Sequence, residues 1–143
     1  MRFKTRSKVD LPQPEGPMNA VTCFSALDLA VPIFQQIQTE QSPVILVNVF
    51  TVAEEDIAAL LTAWAADAGW MKNQPGYIST QLHRGIAGST VFLNYAIWES
   101  VAHFRAAFGH PDFKSALEHY PSSAVASPHL FERLTVPNLC VGP

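Results

Sequence analysis

Seven consecutive residues, Val44-Ile45-Leu46-Val47-Asn48-Val49-Phe50, form a nearly continuous apolar run rich in β-branched side chains. The run is far short of the ~20 apolar residues of a membrane span. It reads instead as a strand buried on both faces, as expected when a sheet is covered on each side. A strand of that kind needs partner strands and a packed layer, which the following sequence must supply.

Thr51 follows as the start of a capping box with Glu54, and Glu55 and Asp56 add favourable charge to a first helical turn. Ile57, Leu60, Leu61, Trp64, Ala68 and Met71 recur at helical spacing and predict one apolar stripe. Asn73-Gln74-Pro75-Gly76 ends that helix and launches a strand, Tyr77 to Arg84. Gly85 to Ser89 reads as a hairpin loop, and Thr90 to Trp98 as the return strand. Ser100 caps a second helix with the stripe Val101, Phe104 and Phe108, stopped by Gly109. Pro111 suits the first turn of a short helix carrying Phe113, Ala116, Leu117 and Tyr120. After a loop over 121–126, residues 129–136 read as a last strand. The order β-α-β-β-α-β is the ferredoxin-like split βαβ pattern, an α+β fold. Both helices are expected on one face of a four-stranded antiparallel sheet.

The 143 residues suit one domain. Pro12, Pro14, Pro17 and Pro32 precede the apolar run, and residues 11–17 can sustain neither a helix nor a central strand. Residues 1–42 are therefore expected to be a poorly ordered N-terminal extension, 43–136 the folded domain and 137–143 a C-terminal tail. Arg2, Lys4, Arg6 and Lys8 hold four of the nine basic residues, so the remainder of the chain is acidic. That balance lacks the basic footprint of a nucleic-acid binder. Cys23 and Cys140 are too few and too far apart for a disulfide framework. A cytoplasmic setting, with no membrane association, is the expectation.

Alternation puts Leu46, Asn48 and Phe50 on one side of the first strand, and Phe92, Asn94, Ala96 and Trp98 on one side of the third. A face mixing Phe and Trp with Asn is too apolar for water, and it is expected to be the one the helices leave bare. A second copy of the chain would cover it, giving a homodimer whose sheets close a cavity.

Pro75-Gly76-Tyr77-Ile78-Ser79-Thr80-Gln81-Leu82-His83-Arg84, then Asn94-Tyr95-Ala96-Ile97-Trp98-Glu99-Ser100, then Phe104 and His110-Pro111-Asp112-Phe113 resemble the antibiotic biosynthesis monooxygenase (ABM) domain. The resemblance runs from 43 to 136 and implies a dimeric α+β barrel. Cofactor-free monooxygenases of that family oxidise polycyclic phenols to quinones with an Asn and a Trp four residues apart on the third strand. Asn94 and Trp98 have that spacing. The family's Tyr six residues beyond the Trp is Phe104 here, and Glu118 falls near the place of its arginine. The haem-degrading branch shares an Asn at Asn48, but its haem-distorting Trp and haem-ligating His align with Ala107 and Leu117. Haem is not expected.

The resemblance thus implies a monooxygenase acting with O2 on a small aromatic or polyketide-like phenol, without a cofactor. Asn94 and Trp98 are its expected catalytic pair. His83 or His129, near strand ends, is the expected base, since an imidazole titrates near neutral pH. Asn48, Phe50, Phe92, Phe104 and Phe108 are expected to hold the substrate. The five histidines form no helical i, i+3 or i, i+4 pair, so no metal site is expected. The competing reading is a non-catalytic dimeric module that binds a hydrophobic small molecule. Phe104 and the missing arginine favour it.

Overall fold

The computed structural model of the protein describes residues 1–3 and 30–142. Its strands are β1 (Arg2–Phe3), β2 (Val44–Thr51), β3 (Tyr77–Arg84), β4 (Val91–Trp98) and β5 (Val125–Phe131), and its helices α1 (Ile33–Gln36), α2 (Ile57–Met71), α3 (Val101–Phe108) and α4 (Pro111–Ala116). The long apolar run forms β2, which lies in the middle of a sheet of order β1-β5-β2-β4-β3. β5, β2, β4 and β3 pair antiparallel, as the ferredoxin-like pattern requires. The fifth strand corrects the expected four-stranded antiparallel sheet. β1 runs parallel to β5, with Arg2 opposite Val125 and Phe3 opposite Ala126, so the sheet is mixed.

Local chemistry explains the starts of α3 and α4. The Ser100 hydroxyl accepts the His103 backbone N–H at 3.2 Å, and Pro111 opens α4 behind His110. The capping box expected at Thr51 does not form. Thr51 ends β2, a short 3₁₀ turn occupies Glu54–Asp56, and α2 starts with no side-chain cap. The expected stripe on α2 also shifts. Leu61 is exposed, while Leu60 and Ala63 are buried and Trp64, Asp67 and Met71 face the interior.

Two of the quoted motifs are one structural unit. Gly76 lies at φ +82°, a conformation that favours glycine, and an added Cβ would sit 2.2 Å from the His103 ring. The Gly76 carbonyl accepts the Glu99 N–H at 2.7 Å, and the Ser42 hydroxyl donates to the Glu99 carbonyl at 2.6 Å. The proline-glycine turn and the Trp-Glu-Ser junction therefore hold each other in place.

The faces are the reverse of the expected ones. Leu46, Asn48, Phe50, Asn94, Ala96 and Trp98 lie under the chain's own helices, facing Trp64 and Met71 of α2, Phe104 and Phe108 of α3 and Phe113 of α4. Alternation sorts side chains into two sets but does not say which set the helices take. The other set, with Val47, Val49, Leu93, Tyr95 and Ile97 at its centre, is half-buried.

The N-terminal boundary also differs from the expected one. Ile33 and Ile37 pack in the buried cluster with Val44, Leu46, Trp98 and Leu130, so the ordered domain reaches upstream of residue 43. Gln36 accepts the Leu130 N–H at 2.9 Å and donates to the Leu130 carbonyl at 3.0 Å. Residues 4–29 of the expected extension, with Cys23, lie outside the described residues. The last strand was expected over 129–136 and is instead β5, 125–131. Pro128 masked it, and is tolerated because β1 covers only Val125 and Ala126, leaving the rest of β5 at the sheet edge.

Candidate active site

The buried core is divided. One cluster gathers Leu46, Ala96, Trp98, Val101, Phe104 and Leu130, and the other Phe50, Phe92, Leu60, Tyr120 and Ala126. Asn48 and Asn94 stand directly opposite each other on β2 and β4, at the seam between the clusters. A cavity of about 60 Å³ opens there, between the sheet and the helices.

The strands supply Leu46, Asn48, Phe50, Tyr77, Thr80, Asn94, Ala96, Trp98 and Pro128 to its wall. Helix α2 supplies Trp64, Asp67, Ala68 and Met71; Phe104, Phe108 and Phe113 close the far side, and Met1 and Phe3 add to the wall beside β5. The lining is largely aromatic. Trp98 meets Phe104 edge-on at 5.8 Å and Tyr77 at 5.6 Å, and Phe104 stacks on Phe108 at 5.3 Å. Such rings offer edges and faces to a flat aromatic guest.

The polar groups are few and placed. The Thr80 hydroxyl donates to Oδ1 of Asn94 at 2.5 Å, which leaves the Asn94 amide nitrogen as a donor for a guest. Tyr120 donates to Oδ2 of Asp67 at 2.9 Å. Asn48 Oδ1 and Asp67 Oδ1 are buried with no hydrogen-bond partner. Burial pushes the Asp67 carboxyl up to about 6, partly offset by the Tyr120 hydrogen bond. A site with one oriented amide donor and two unfilled acceptors can bind a hydroxylated, ionisable ring.

Of the expected site residues, Asn94, Trp98, Asn48, Phe50, Phe104 and Phe108 come together in this cavity. Phe92 does not line it, and packs in the second cluster under the Arg84 guanidinium, 5.6 Å from its ring centroid. The two histidines fall on the opposite face. His83 pairs with Leu93 and His129 with Val47, both in the outward set. His83 is exposed, its Nδ1 3.3 Å from the Leu93 carbonyl. His129 contacts the Gln36 amide at 3.2 Å, and burial lowers its pKa, partly offset by its backbone contact with Leu130. Neither reaches the cavity. Among the described residues no three His, Cys, Asp or Glu side chains gather as metal ligands.

The sequence profile of the antibiotic biosynthesis monooxygenase family matches residues 43–119. The chain belongs to this family. Among solved structures, this ABM domain is similar to SnoaB, a cofactor-independent oxygenase from Streptomyces nogalater. The two share 27% identity with a TM-score of 0.59, over 68% of this chain and all of SnoaB. It is also similar to a candidate monooxygenase from Shewanella loihica, at 34% identity and TM-score 0.57, over 66% of this chain and 97% of that one. No curated protein sequence matches the ABM chain. No helix among the described residues is long and apolar enough to cross a membrane.

Thr80, Asp67 and Tyr120 were not expected as parts of the site. Asp67 did leave a signal in the sequence: it lies three residues after Trp64 and four before Met71, so it is an acid on an otherwise apolar helical stripe. Nothing in the pattern around Thr80 distinguishes it from a solvent-facing strand threonine.

Proposed function

We propose that the protein is a cofactor-independent monooxygenase that oxidises a small, enolisable phenol with O2. The observation that carries this reading is the Asn94 amide, oriented by Thr80 beside Trp98 in an aromatic cavity, in a chain similar to SnoaB. Loss of one proton turns such a substrate into an enolate or carbanion. It passes an electron to O2, and the resulting pair combines to form a C–O bond and a hydroperoxide. Loss of water then leaves a carbonyl, so that CH2 and O2 become C=O and H2O. The Asn94 amide donates to the developing oxyanion or hydroperoxide, and the aromatic wall with Trp98 excludes bulk water.

At about 60 Å³ the cavity is small beside the ~300–1,000 Å³ of most ligand pockets, so its wall must move apart to admit an aromatic ring. Oxygen uptake with a panel of catechols, naphthols and hydroxyanthrones, without flavin, metal or nicotinamide, tests the proposal. Turnover of any of them supports it. Tight binding with no uptake across the panel would favour a non-catalytic binding module, the reading to which Phe104, buried and without a hydroxyl, lends support.

The homodimer belongs to the same proposal. Its support is the apolar outward face of Val47, Val49, Leu93, Tyr95 and Ile97, which a second copy would cover in a cytoplasmic dimer. Light scattering should give twice the 15.7 kDa chain mass, and a monomer mass at micromolar concentration would refute it.

A further inference from the structure

Asp67 is the one carboxylate on the cavity wall among the described residues. Helix α2 brings it there between Trp64 and Met71, on the side that faces Asn48 and Asn94 across the cavity. Its two oxygens differ. Oδ2 is held by the Tyr120 hydroxyl at 2.9 Å, while Oδ1 is buried and unpartnered. Tyr120 is itself fixed, almost fully buried and stacked on Phe50 with ring planes 6° apart. Burial, then the neighbouring Asp67 charge, keeps the Tyr120 hydroxyl protonated well beyond the usual phenol range, so it remains a donor. A buried carboxylate oxygen without a donor is costly unless another group fills the place. A phenol or an acidic C–H of a bound guest would fill it.

We propose that Asp67 is the general base of the cavity, with Oδ1 accepting the substrate proton, and that Tyr120 is a positioning residue acting through Oδ2. The proposal takes its substrate class from the monooxygenase reading. The carboxylate takes the proton as the substrate's C–H electron pair becomes the carbanion. That pair reduces O2 as the C–O bond forms, and the Asp67 proton returns to the outer oxygen to give the hydroperoxide. A second C–H proton then leaves as the O–O bond breaks, releasing water and the carbonyl. The carboxyl, raised by burial to about 6, is ionised and available near neutral pH. The other ionisable side chain on this wall is Tyr77, whose pKa burial raises.

Proton abstraction can be separated from oxidation by removing O2. The test measures deuterium uptake from D2O into a hydroxyanthrone, and into the smaller ketone 2-indanone, under anaerobic conditions. Wild-type protein should accelerate exchange along a limb that rises as a group with pKa about 6 ionises. Asp67→Asn should lower that exchange by ~10²-fold or more and remove the limb. Tyr120→Phe should keep exchange at high pH but move the limb upward, because the lost hydrogen bond had lowered the carboxyl pKa. Exchange in Asp67→Asn equal to wild type, or no acceleration by wild type with either probe, would overturn the proposal. Asp67-dependent exchange without oxygen uptake in air would leave the base in place and refute the monooxygenase reading. Normal oxygen uptake by Asp67→Asn would do the opposite.

Discussion

Thr80 and Asn94 are tied to each other across β3 and β4, the threonine hydroxyl donating to the asparagine Oδ1 at 2.5 Å. An asparagine side chain on a strand can present either end to a cavity, and here Oδ1 is the end turned to Thr80. With Oδ1 occupied, the amide nitrogen is the end left for the substrate.

Thr80→Val should therefore lower kcat about tenfold, the equivalent of one lost hydrogen bond of ~1–1.5 kcal/mol. Thr80→Ser should restore most of it. Asn94→Ala, which removes the donor itself, should cost ~10²-fold. Oxygen uptake per folded molecule, with melting temperatures beside it, checks all three. Losses that follow melting temperature rather than side-chain chemistry would count against the assignment.

Asp67 should also make stability depend on pH. Its folded pKa, about 6, lies above the unfolded 3.8, so between those values the folded state holds a proton that the unfolded chain has released. Its contribution is full below the lower value, falls as pH rises to about 6, and stays lost above. Asp67→Asn should abolish that slope and raise stability near neutral pH by about 1–2 kcal/mol, measured by urea unfolding across the acid-to-neutral range. A more stable but less active variant is the expected pairing for a residue kept for chemistry.

Phe3 packs edge-on against Phe108 at 6.0 Å and helps wall the cavity. Phe3→Ala should widen it and lower KM for tricyclic phenols relative to monocyclic ones. Comparing KM for a hydroxyanthrone and a catechol in both proteins measures this, and an unchanged ratio would show that β1 does not limit substrate size.

A chain beginning at residue 43 should melt at least ~10 °C below one beginning at residue 30. It loses burial of Ile33 and Ile37, worth ~1.5–3 kcal/mol each, and both Gln36 hydrogen bonds to Leu130. Equal melting temperatures would restore residue 43 as the functional start of the domain.

The strand-helix order was legible because periodicity and turn chemistry are local. Asn73–Gly76, Ser100, Gly109 and Pro111 act within a few residues of where they stand. β1 was not legible, since a two-residue strand has no period and exists only through its pairing with β5. The face assignment failed for a different reason. Asn48 and Asn94 look like residues that a core would reject, yet they line a cavity inside it. The Asn94–Trp98 pair was visible as a spacing on one strand, whereas Asp67 and Tyr120 are 53 residues apart and meet only after α2 has packed. His83 and His129 had suitable chemistry and the wrong parity along their strands.

The Gln36 side chain does for Leu130 what a neighbouring strand would do, offering its backbone both an acceptor and a donor. The consequence is colloidal. An uncovered strand edge is a template on which another chain can add, the route to insoluble cross-β aggregates. With β1 occupying one end of β5 and Gln36 the other, that edge is blunted. Gln36 thereby removes one template on which an open-ended fibre could grow.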